Sequence, residues 1–144
     1  MVIAAVAHVD QYVGPNSGSN PHNEAYLMAS PAQPGMGTGI LVNQDAIFEA
    51  PQAGVYLFAI HVRSRGPGGI IYTGYSALHM AILAPNHTPP WTDIDVVQNY
   101  TDPANTQLVR IVKLVQGNRV GFRFGNAASF QVVVDGTVSI HSLS

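Results

Sequence analysis

Apolar residues in this chain do not recur at the three- and four-residue spacing of a helix face. Gly and Pro punctuate the sequence instead, and β-branched and aromatic residues fill the stretches between them. The pattern predicts about ten strands, over residues 2–9, 24–28, 40–42, 46–49, 55–62, 71–83, 94–100, 107–115, 118–124 and 130–143, the last with a break at Asp135-Gly136. The loops over 14–21 and 30–37 are rich in turn residues. Two strands carry more information than the others. In Arg119-Val120-Gly121-Phe122-Arg123-Phe124 the alternation sends Val120, Phe122 and Phe124 inward and both arginines out. In Val55-Tyr56-Leu57-Phe58-Ala59-Ile60-His61-Val62 both alternating faces are apolar, as in a strand covered on two sides. One cover is an opposing sheet. The other is expected to be a neighbouring subunit, laid over the face that carries the aromatics. So many short strands with long early loops point to an all-β, two-sheet antiparallel jelly roll, one domain over 1–144.

Composition sharpens this picture. Charged residues make up 10% of the 144, against about a quarter in ordinary soluble domains, while the apolar share is 47%. A surface so poor in charge fits one covered by other copies, because interfaces are depleted in charge. The net charge is -2 and the six Lys and Arg are scattered, so there is no basic run to displace counterions from a nucleic acid. Nucleic acid binding is not expected. No apolar run reaches the roughly 18 residues of a spanning helix, and the apolar start lacks a basic leader, so neither membrane insertion nor a secretion signal is expected. There is no Cys, which removes disulfides, thiolate metal sites and thiol nucleophiles.

The run from Ile47 to Val62 contains Phe48, Pro51, Gly54, Tyr56, Phe58 and His61 at the spacing F-x-x-P-x-x-G-x-Y-x-F-x-x-H. It resembles the signature of the complement component 1q globular head. Leu108 to Val120 is similar to that family's L-x-L-x-x-G-D-x-V hairpin, with Asn118 in place of the Asp, and Gly136 to Leu143 resembles the closing strand of bacterial and viral relatives. The resemblance implies the homotrimeric jelly roll shared with the tumour necrosis factor superfamily, whose members are ligands, recognition heads or fibre tips. It implies a non-enzyme, outside the cell or on a virion or cell surface, with the aromatics near the three-fold axis. Tyr56, Phe58, Ile60, Phe122 and Phe124 are therefore the candidate interface or core residues. No collagen-like stalk is present, which admits phage and bacterial surface proteins.

The remaining candidates are loop residues. Trp91 and Tyr100, with Asp93 and Asp95, offer aromatic faces beside carboxylates, a surface suited to a carbohydrate or a protein ligand. Asp93, Asp95 and Asp102 also form a candidate calcium cradle, although the rest of a calcium loop is missing. His61 and His79 would approach each other if their strands paired. Asn86 and Asn99 head N-x-T sequons. No nucleophile stands beside a base, no carboxylates pair on neighbouring predicted strands, and no helix follows Gly35, Gly37 and Gly39 to cradle a phosphate. Two non-enzymatic readings follow: a trimeric recognition head, or a structural trimerisation module of a virion, fibre, or bacterial or spore surface.

Overall fold

A computed structural model describes residues 2–13, 25–28, 40–41, 46–69, 76–83, 92–99, 102, 104–126 and 130–143. Among the described residues ten strands run in chain order: β1 (Val2–Val13), β2 (Ala25–Tyr26), β3 (Ile40–Leu41), β4 (Phe48–Glu49), β5 (Gly54–Arg65), β6 (Ser76–Leu83), β7 (Thr92–Asn99), β8 (Asn105–Leu114), β9 (Arg119–Asn126) and β10 (Val132–Ser142). They form two antiparallel sheets. The first has the order β1-β10-β5-β8; the second runs β3-β4-β9-β6-β7, with β2 also paired to β9. The expected all-β jelly roll is the observed fold. The last strand departs from expectation, because β10 passes through Asp135-Gly136 without a break. Gly136 is needed there for space: a Cβ would stand 1.9 Å from the carbonyl oxygen of His61.

Alternation on β5 sets the core. Tyr56, Phe58, Ile60 and Val62 point between the sheets and are buried, while Val55, Leu57, Ala59 and His61 point the other way. Against them the second sheet places Phe48, Leu78, Met80, Val120, Phe122 and Phe124. Phe48 meets Tyr56 and Phe58 edge-on at 5.3 and 5.9 Å between centroids, and Phe58 lies 6.2 Å from Phe122. Such aromatic pairs add about 0.5–1.5 kcal/mol each beyond the area they bury. The stretch between Phe48 and Tyr56 crosses from one sheet to the other, and the Tyr56 hydroxyl fastens it by donating to the carbonyl of Gln52 at 2.8 Å.

Polar contacts also tie the two sheets together. The buried amide of Gln11, on β1, donates to the carbonyl of Tyr26 (3.0 Å) and accepts from the N–H of Met28 (2.7 Å), in the manner of a strand bridge. Ser76 on β6 and Thr106 on β8 share a buried hydroxyl bond of 2.8 Å. Arg110 on β8 pairs with Asp95 on β7 at 3.7 Å, joining the edge strands of the two sheets. The hairpin before β9 turns at Gly117, whose φ of 86° favours glycine, and Asn118 caps it by accepting from the N–H of Val115.

Candidate functional site

Of the two places offered for the five candidate aromatic and aliphatic residues, interface or core, the single chain shows the core. Tyr56, Phe58, Ile60, Phe122 and Phe124 are all at most 2% exposed within the single chain, so they belong to its own core. The reason is the opposing sheet, which covers the aromatic face of β5 completely and leaves the smaller-residue face outward. That outward face is the candidate site.

Cross-strand pairing builds it row by row. Val6, Ser139, Ala59 and Val109 stand side by side on β1, β10, β5 and β8; the next row is His8, Thr137, His61 and Gln107; the next is Asp10, Asp135, Arg63 and Asn105. On the other side of the Val6 row, His141 adjoins Leu57 and Ile111. One half of the face is thus apolar. Val109 and Ile111 are 65% and 60% exposed on the edge strand, beside the half-buried Val55, Leu57 and Ala59. The other half is polar and holds a concavity of about 400 Å³ lined by His8, Asp10, His61, Arg63, Asp135 and Thr137. A shallower hollow of about 190 Å³ lies between Ala59, Val109 and Ser139.

Charge in the polar half is organised around Asp135. Arg63 binds it through two hydrogen bonds, Nε to Oδ1 at 3.0 Å and Nη2 to Oδ2 at 3.3 Å, and Arg65 adds a third from its own Nη2 at 3.2 Å. Asp10, two residues from His8 on the same face of β1, adds a second carboxylate to the lining of the concavity.

The loop candidates are placed differently. Trp91, Tyr100 and Asn86 lie outside the described residues. Asp93 faces outward from the second sheet and is engaged by Arg123 (2.8 Å) and by the ring of His79 (3.0 Å). Asp95, on the far side of a register shift in β7, pairs with Arg110. Asp102 accepts from the side-chain amide of Asn105 at 3.2 and 3.4 Å, while its N–H donates to Asn99 at 3.0 Å. The three carboxylates therefore have separate partners, and among the described residues no group of three or more His, Cys, Asp or Glu is placed to hold a metal ion. His61 and His79 do not meet either, since β5 and β6 belong to different sheets.

Sequence reasoning missed the His8, His61, Asp10 and Asp135 grouping. Its signal was present in the even-numbered positions of β1 and the odd-numbered positions of β5 and β10, but it appears only when the three strands are aligned in the order β1-β10-β5. The aromatic motif drew attention to the buried face.

Solved structures share this architecture over nearly the whole chain. Eiger TNF from S. frugiperda matches all of this chain and 94% of its own, at 11% identity and a TM-score of 0.58. Murine APRIL at pH 8.0 matches 93% and 97%, at 15% identity and 0.56. The globular domain of zebrafish complement 1qA matches 96% and 97%, at 12% identity and 0.54. No protein-family model matches the sequence, and no curated protein does so significantly. The fold is thus the jelly roll common to tumour necrosis factor and complement 1q heads. Among the described residues no helix is long and apolar enough to cross a membrane.

Proposed function

We propose that this chain is a non-enzymatic recognition head that works as a homotrimer, its copies packed through the outward faces of their four-stranded sheets. Loops or clefts between copies then bind a protein or carbohydrate ligand outside the cell or on a virion or cell surface. The observation that carries the reading is the apolar half of that face. Val109 and Ile111 expose most of their side chains beside Leu57 and Ala59 on the four-stranded sheet, and apolar area gains about 25 cal/mol per Å² when water is excluded. Likeness of fold to proteins titled as TNF, APRIL and complement 1qA supports the same reading.

The test is a Val109→Lys, Ile111→Lys variant. Both side chains are exposed in the single chain, so the protomer should fold normally while sedimentation shows a single copy. An undisturbed oligomer would exclude this face as the contact. The unaltered assembly is then offered to a glycan array and to partner capture from candidate target cells. Specific binding supports recognition; silence in both favours the structural module.

A further inference from the structure

We propose that self-association of this chain is released by acid, through His8, His61 and His141 on the face where copies meet. The inference rests on the assembly argued above and adds its regulation. Of the histidines at described positions, 8, 61, 79 and 141, three lie on this face, one on each of β1, β5 and β10. All three are half-buried already in the single chain, and His8 and His61 line the polar concavity from either side of Thr137.

The charges around them set the sign. His8 has Asp10 two residues along its strand and Thr137, flanked by Asp135, on the neighbouring strand. His61 has Arg63 on its own strand, Thr137 and Asp135 on β10, and Gln107 and Asn105 on β8. His141 faces Leu57 on β5, and the charged group beyond it is Lys113, opposite Val55 on β8. Within the polar half, Asp10 and Asp135 balance Arg63 and Arg65, so neutral histidines leave that patch without net charge. Protonation adds a positive charge at each ring; Asp10 stands near His8, but the cross-strand rows of His61 and His141 hold no carboxylate to offset theirs. Rotational symmetry then multiplies the effect, because every copy brings the same charges to the same axis.

Taking the rings further from water disfavours their charged form, so the assembly binds fewer protons than separate chains do. By linkage, association strengthens as pH rises and weakens as pH falls and the rings take up protons.

Sedimentation equilibrium of the full chain at constant ionic strength, from about pH 7.5 to about pH 5.5, tests this, with far-ultraviolet circular dichroism at each point. The association constant should fall by about ten-fold or more while the β signal is kept. A His8→Gln, His61→Gln, His141→Gln variant should lose most of that dependence, and the single changes His8→Gln and His61→Gln should each reduce it. Association that is unchanged or tighter in acid, a histidine-free variant that dissociates as steeply, or loss of the β signal together with the oligomer overturns the proposal. A single copy at neutral pH overturns the assembly itself. A neutral-pH trimer with a flat profile overturns only the acid release.

Discussion

The carbonyl oxygen of His61 lies 1.9 Å from where a Cβ on Gly136 would have to stand, so β5 and β10 can pair through Val62 and Gly136 only because that position has no side chain. The pairing brings Thr137 beside His61 and Asp135 beside Arg63, which builds the polar concavity. Gly136→Ala should therefore part the two central strands of the sheet. We expect a loss of about 2–4 kcal/mol in urea unfolding. Gly68→Ala is the control: its positive φ disfavours a side chain, yet nothing lies within 4 Å, so it should cost only about 1–2 kcal/mol. Equal costs would contradict the close approach.

Gln11 tests how the first sheet is fastened to the strand beside it. Gln11→Leu removes the buried bonds to the Met28 N–H and the Tyr26 carbonyl, which should cost about 1–3 kcal/mol in chemical denaturation. Gln11→Glu keeps the shape and can still accept from Met28, but it cannot donate when ionised. Burial raises the carboxyl pKa in the folded state, so this variant should be close to wild type in acid and should lose stability as pH rises through that raised value. A pH-independent difference would show that the amide is not buried in the working protein.

Core positions should separate cleanly by depth. Phe58→Ala removes a fully buried ring that touches both Phe48 and Phe122, and a loss of about 3–5 kcal/mol is expected from thermal or urea unfolding. Tyr56→Phe removes only the bond to Gln52 and should cost about 1 kcal/mol. If Phe58→Ala instead left the protomer stable and only dissociated the oligomer, the assignment of that ring to the protomer core would be wrong.

Asp93→Asn loosens an ion pair whose side chains are 31% and 28% exposed, so its effect on stability should stay below about 1 kcal/mol. A larger loss would mean that Asp93 holds more than Arg123 and His79.

Strand positions were legible because each strand announces itself locally. Alternation in Arg119 to Phe124 and the apolar run of β5 needed no knowledge of the rest of the chain. Gly136 was misread for the same reason, since glycine in a strand signals either a break or a close approach, and only the neighbouring His61 carbonyl decides between them. The two apolar faces of β5 suggested two covers, of which the opposing sheet is the one seen, yet nothing in the strand itself says which face meets it. That choice depends on Phe48 and Phe122 arriving from the second sheet. The outward site is less legible still, because His8, His61 and Asp135 are far apart in sequence and become neighbours only through the strand order.

Sedimentation equilibrium of the unaltered protein at neutral pH and micromolar concentration tests the central claim most directly. Three chains of 15.3 kDa moving as one particle is the expected result. A stable, soluble particle with the mass of one chain would mean that Val109, Ile111 and Leu57 face water in the working molecule, and it would contradict the account of this face as the place where copies meet.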